Sequence, residues 1–182
     1  MSYELILGGA RSGKSRLAEQ LAQQVEGSVC YIATAQALDA EMQARIAQHK
    51  AQRPSTWALC EEPIYLAEAI EQNVKAHACV LVDCLTLWLT NLLLTENRQL
   101  LNEQIQALQS VLVQQRGHII LVSNETGLGV VPMGELSRQY VDQAGWLHQA
   151  LAQEAQRVIF TVAGLPMVLK GAALACGGKN QH

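Results

Sequence analysis

Gly8, Gly13, Lys14 and Ser15 stand at the spacing Gly-x-x-x-x-Gly-Lys-Ser, the pattern of a loop that wraps a polyphosphate. The two glycines let the backbone approach phosphate oxygens where a Cβ would collide, and Gly9, Ala10, Arg11 and Ser12 supply further amides. Lys14 can reach the β- and γ-phosphates, and the Ser15 hydroxyl is a ligand for Mg²⁺. A plain glycine turn capping a helix would use the same letters. The flanks favour the phosphate reading: an apolar run, Leu5-Ile-Leu7, leads in, and Arg16-Leu-Ala-Glu-Gln-Leu-Ala-Gln-Gln24 continues as a helix.

Three further groups could act with that loop. Cys79-Val-Leu-Val-Asp83 is an apolar run closed by a carboxylate, the form of a Walker B strand. Set beside the first strand, Asp83 would meet the Mg²⁺ held by Ser15. Asp83 also precedes Leu85-Thr-Leu-Trp-Leu-Thr-Asn-Leu-Leu93, where it can cap a helix, and the two roles are compatible. In the segment 39–57, Asp39 can cap a helix that carries Glu41, Arg45 and His49 on one face, and Pro54 marks its end at Arg53. This is either an exposed helix with one ion pair or a nucleophile among cations. In the second case Arg45, Lys50 and Arg53 keep the His49 imidazole neutral and neutralise phosphate oxygens. Finally, Asn124 and Glu125 follow a strand candidate, where they either orient a substrate hydroxyl or water or fix a turn. Gly127 and Gly129 fit a tight backbone path there. His77, His118 and His148 read as surface or structural, and Trp57, Trp88 and Trp146 as core or interface.

The elements that must position these groups alternate. Strands are expected at 5–7, 29–33, 79–83, 118–123 and 157–162, with a turn at Gly164 leading into a short final strand. Helices are expected at 14–25, 39–52, 63–76, 98–116 and 134–154, and Leu101, Ile105, Leu108 and Leu112 trace an apolar stripe on the fourth. Continuous aliphatic strands between helices predict an α/β fold: a mainly parallel sheet with helices on both faces and a C-terminal hairpin strand. The chain has 182 residues, which suits a single nucleotide-binding and catalytic domain over 1–182, with 171–182 a loose tail.

Composition narrows the function classes. A net charge of −3 and no basic stripe argue against a nucleic-acid partner. The stretch Cys79–Leu94 is too short and too polar for a membrane span, and no basic-then-apolar signal peptide opens the chain. Five cysteines without a Cys-x-x-Cys pair suit buried thiols in a reducing cytoplasm, where the protein is expected to reside.

The chain resembles the bifunctional adenosylcobinamide kinase/adenosylcobinamide-phosphate guanylyltransferase family of the cobalamin pathway. The resemblance follows Gly8-Gly-Ala-Arg-Ser-Gly-Lys-Ser15, Tyr31-Ile-Ala-Thr34, Arg45-Ile-x-x-His49 with Arg53-Pro54 and Trp57, and Val82–Leu93. It continues through Ser123-Asn-Glu-Thr-Gly-Leu-Gly-Val-Val-Pro132 and from Arg138 through Tyr140, Asp142 and Gly145 to Gln149. Two positions depart from the last motif: Val141 stands where an Arg is usual, and His148 where an Asn is usual. The resemblance implies that His49 accepts GMP from GTP as a covalent intermediate. It further implies guanine-nucleotide contacts from Ala33, Thr34, Ala35, Lys50, Ala51, Gln52, Arg53, Glu61 and Asp83, a corrinoid substrate, and a homotrimer. ATP or GTP would serve a kinase step and GTP a transferase step, both at one triphosphate pocket with Mg²⁺. Without the resemblance, the residues alone also admit a simple small-molecule kinase or a nucleotide-gated switch ATPase acting on partner proteins.

Overall fold

The carboxyl ends of the strands form the working edge of this molecule, so sheet order decides which residues meet. The structure, a computed structural model, describes residues 2–37, 40, 43–44, 50 and 53–174. Its elements run β1 (Ser2–Gly8), α1 (Lys14–Gln23), β2 (Val29–Ala33), β3 (Ala58–Glu61), α2 (Leu66–Ala76), β4 (Cys79–Asp83) and α3 (Leu85–Leu94). They continue with α4 (Arg98–Gln114), β5 (His118–Asn124), α5 (Glu135–Glu154), β6 (Arg157–Val162) and β7 (Leu165–Lys170). The strands pair in one sheet of order β3-β2-β4-β5-β1-β6-β7. All pairs are parallel except β6 with β7, which are antiparallel.

The apolar strands divide their side chains between two cores because successive residues point to opposite faces. Leu5, Leu7, Ile32, Val80, Val82, Ile119 and Leu121 face α2, α3, α4 and α5, with Trp88 fully buried in that layer. Ile6, Tyr31, Leu81, Ile120, Val122 and Ile159 face the Ala18, Leu21 and Ala22 side of α1. Leu101, Leu108 and Leu112 of the expected stripe are buried, with Ile105 packed against them. Local signals set the helix ends. Asn97 accepts a hydrogen bond from the Leu100 amide at 3.1 Å to start α4, and the Glu62 carboxylate accepts from the Ile64 and Tyr65 amides ahead of α2. The expected helix over 39–52 falls mostly outside the described residues.

The structure corrects three expectations. β3 was not expected, because four residues of alternating, half-exposed edge strand carry no apolar run. β4 does not lie beside β1; β5 stands between them. The residue capping α3 is Cys84 rather than Asp83, and no side chain accepts from the first turn.

At the opposite edge of the sheet, Glu4 is buried between Arg157 and His118. Arg157 donates through Nε and Nη2, each at 2.7 Å, and His118 Nε2 lies 3.2 Å away. Burial pushes the Glu4 carboxyl up, but the hydrogen bonds and charges of His118 and Arg157 outweigh it and hold the group below its ordinary value. Such a group stabilises the fold above its unfolded pKa, and that contribution is lost as pH falls through the lower folded value. Arg157→Ala should therefore destabilise by on the order of 3 kcal/mol at pH 7, a Tm loss of about 6–12 °C. Once burial dominates the carboxyl, the deficit should shrink toward pH 4. Thermal melts of both proteins across that range check this; an equal deficit at all pH values would refute it.

Candidate active site

The phosphate loop is built by strand end, glycine and helix start in succession. Gly13 takes φ 93°, a left-handed conformation that suits glycine, and delivers the chain directly into α1 at Lys14. Gly8 is needed for a different reason: a Cβ there would lie 2.6 Å from the Thr161 carbonyl oxygen on β6. The loop closes on itself through Ser12 N–H to Gly9 O at 3.3 Å and Lys14 Nζ to Gly9 O at 2.9 Å. It is also held from outside. The Gly164 amide, in the turn between β6 and β7, donates to Ser12 O at 2.9 Å, and the Glu125 amide donates to Gly8 O at 3.0 Å. Lys14 is buried among these groups. Burial lowers its ammonium pKa, opposed by Cys84 and Asp83, so the Asp83 carboxylate lies near enough to act on the loop lysine despite the intervening strand.

The strand register aligns the other predicted residues along the same edge. Ala33 sits opposite Asp83 on one side and Glu61 on the other, at the ends of β2, β4 and β3. The Tyr31 phenol is buried near Asp83, and burial followed by that carboxylate raises its pKa, so it remains neutral. The Arg53 guanidinium lies 5.0 Å from the Tyr31 ring centroid, and Lys50 Nζ is 2.8 Å from Glu61 Oε1. Lys50 and Arg53 thus stand at the edge that holds the phosphate loop. The pair Lys50–Glu61 is solvent-exposed and contributes little to stability.

Thr34 has a structural role in addition to any expected contact. Its side chain is fully buried, donating to Cys84 O at 2.7 Å and accepting from the Cys84 amide at 2.9 Å. Asn91 of α3 donates to Thr34 O at 2.8 Å. These bonds tie the end of β2 to the residue after Asp83 and so fix where that carboxylate stands. Ala35 follows immediately and is half-buried. His49, Ala51 and Gln52, together with Arg45, lie outside the described residues.

Sequence reasoning missed a polar cluster at the end of β5. His148, expected at the surface or in a structural role, is buried on α5, with Nε2 2.8 Å from Ser123 Oγ and Nδ1 3.6 Å from Glu125 Oε2. Thr86 joins it, accepting from the Asn124 amide at 2.7 Å. The only signal for His148 was its departure from the resembled motif. Of the tryptophans, Trp88 is core and donates to Ile64 O at 2.8 Å, whereas Trp146 is exposed.

Among the described residues no group of three or more His, Cys, Asp or Glu side chains gathers as a metal cage. The oxygen donors at hand are Ser15, at the start of α1, and Asp83. That sparse set suits an octahedral Mg²⁺ ion completed by phosphates and water rather than a dedicated protein site. The described cysteines, Cys30, Cys60, Cys79 and Cys84, are free thiols, and burial raises those of Cys30 and Cys84 to about 11 and that of Cys79 to about 12. No helix among the described residues is long and apolar enough to cross a membrane.

A parallel sheet with a glycine-rich loop running into α1 at its carboxyl edge, a buried loop lysine and a facing carboxylate define a P-loop nucleotide-binding protein. A solved ATPase from the type III secretion system of pathogenic bacteria shares this fold, with a TM-score of 0.51 over 87% of this chain at 11% identity. This chain spans half of that ATPase's length. The match to the cobinamide kinase/cobinamide phosphate guanyltransferase family covers residues 4–169, and the chain belongs to that family. Bifunctional adenosylcobalamin biosynthesis protein CobP of Pseudomonas aeruginosa is 63% identical over 171 residues, 94% of this chain and 99% of that protein. Bifunctional adenosylcobalamin biosynthesis protein CobU is 38% identical in Escherichia coli and 37% in Salmonella typhimurium, each match covering 91% of this chain and 98% of the relative. The protein is thus a nucleotide-using transferase of cobalamin biosynthesis.

Proposed function

We propose that this protein phosphorylates adenosylcobinamide with ATP or GTP, and then transfers GMP from GTP through guanylylated His49 to give adenosylcobinamide-GDP. The observation that carries the reading is the shared strand-end edge: the phosphate loop, Asp83, Glu61, Lys50 and Arg53 stand along it together. Both steps act on one bound triphosphate. In the kinase step the loop amides and Lys14 hold the β- and γ-phosphates while the acceptor hydroxyl attacks the γ-phosphorus in line. In the transferase step the His49 imidazole attacks the α-phosphorus and pyrophosphate departs. The phosphate of adenosylcobinamide phosphate then attacks the guanylylated His49 and frees the ring. A covalent intermediate divides one transfer into two in-line displacements.

Ser15 and Asp83 would hold Mg²⁺. Bound there, the ion neutralises charge developing on the phosphate oxygens. Lys50 and Arg53 supply fixed positive charge near His49 in sequence, and Ala33–Ala35 and Glu61 line the guanine-nucleotide side of the site. Family membership supports a homotrimer, a corrinoid substrate rather than a nucleic acid, and a cytoplasmic enzyme.

The test is direct. Incubation with α-labelled GTP and Mg²⁺ should leave an acid-labile, base-stable label on the protein, as a phosphoramidate requires, with release of pyrophosphate. Addition of adenosylcobinamide phosphate should discharge it into a corrinoid-GDP product. A protein that takes no label under these conditions while phosphorylating adenosylcobinamide is a monofunctional kinase.

A further inference from the structure

Between α3 and α5 lies a cavity of about 370 Å³, lined by Thr90, Leu93, Thr126, Pro132, Leu136 and Tyr140 among others. Its walls are mainly apolar, and the loop that forms its rim leaves Leu128, Val130 and Met133 exposed. The Tyr140 hydroxyl is buried there beside Thr86, with no hydrogen bond of good geometry among the described residues. Burial raises that phenol to about 12, so it is a neutral donor and acceptor, suited to an amide or alcohol.

The loop on this cavity begins at Glu125, whose amide is bonded to Gly8 of the phosphate loop. The Glu125 carboxylate is itself oriented. Its Oε1 accepts from the Gly127 amide, and its Oε2 lies 3.6 Å from His148 Nδ1. Burial pulls the His148 imidazole below its ordinary pKa, against the pull of Glu125, so the ring is neutral at pH 7. With Nδ1–H turned to the carboxylate, its Nε2 accepts the Ser123 hydroxyl at 2.8 Å. Glu125 therefore joins the two: its amide holds the phosphate loop, its carboxylate is held by the Gly127 amide beside buried His148, and the next residue, Thr126, lines the apolar cavity.

We propose that this cavity is the acceptor site of the kinase step, that Glu125 accepts the hydrogen bond of the acceptor alcohol, and that His148 is a positioning residue for Glu125. The inference rests on the kinase reading above. In the reaction the alcohol oxygen bonds to the γ-phosphorus and the bond from that phosphorus to the β–γ bridging oxygen breaks. The alcohol proton passes to the Glu125 carboxylate, and the electron pair leaves with the nucleoside diphosphate. The apolar walls suit the hydrocarbon face of a corrinoid, and Tyr140 suits one of its amide arms.

Glu125→Gln tests the proposal with adenosylcobinamide and γ-labelled ATP. The expected result is a fall of about 10²–10³-fold in kcat, with ATP affinity by calorimetry within threefold of wild type. His148→Ala should lower kcat less than Glu125→Gln with the acceptor KM unchanged, and His148→Asn, whose amide can donate toward the same carboxylate, should restore most of the loss. Leu136→Trp, which fills the cavity from its partly exposed wall, should raise the acceptor KM at least tenfold and leave the KM for ATP unchanged. Wild-type kinase activity in Glu125→Gln, or an acceptor KM unaltered in Leu136→Trp, overturns the assignment. Loss of ATP binding along with activity in Glu125→Gln also overturns it, by moving Glu125 into the nucleotide cradle. Failure of the wild-type protein to phosphorylate adenosylcobinamide would instead bring down the kinase reading itself.

Discussion

Lys14→Ala should reduce both γ-phosphoryl transfer and guanylylation by GTP about 10³-fold or more, because both depend on the same triphosphate being held and neutralised. The side chain is buried in the loop, bonded to Gly9 O, and lies near Asp83. The variant should remain folded, since Lys14 opens a helix whose buried contacts are made by Ala18, Leu21 and Ala22. Circular dichroism and a thermal melt would establish that, and steady-state assays of both reactions would measure the loss. Turnover close to wild type in a folded variant would remove the loop from the mechanism.

His49→Ala should separate the two reactions. We expect it to lose covalent labelling by α-labelled GTP and formation of adenosylcobinamide-GDP, with kinase activity kept within about tenfold of wild type. The difference follows from the chemistry. Transfer of the γ-phosphoryl to an alcohol needs positioning and electrostatic stabilisation, whereas the proposed GMP transfer needs a protein nucleophile. The experiment is a labelling gel for the guanylylated protein, run beside a γ-phosphoryl transfer assay. A label that survives the substitution assigns the nucleophile to another residue.

Together with Glu125→Gln, these variants would map three functions onto three parts of the edge. The phosphate loop serves both steps, His49 serves the transferase step, and Glu125 serves the kinase step. Thr34 adds a structural part to its proposed place beside the nucleotide, because its hydroxyl is engaged with Cys84. Its substitution should act by displacing Asp83.

The phosphate loop was legible in the sequence because its chemistry is local. Gly13 must adopt a left-handed φ, Lys14 must follow it, and strand and helix must flank them, all within a dozen residues. The α/β class was legible for a similar reason: aliphatic strands covered on both faces read as continuous apolar runs between amphipathic helices. The half-exposed edge strand β3 left no such run. Strand order, by contrast, is written in no local pattern. Asp83 was expected beside β1, and only the packing of four helices on one face with α1 on the other decided that β5 stands between them. The Ser123–His148–Glu125 cluster joins residues 25 positions apart along the chain, on a strand and a helix. Spacing could not predict that meeting, because it exists only once α5 has docked on the sheet and excluded water from His148. The sequence determined which groups can do chemistry here; the tertiary structure decided which of them share a site.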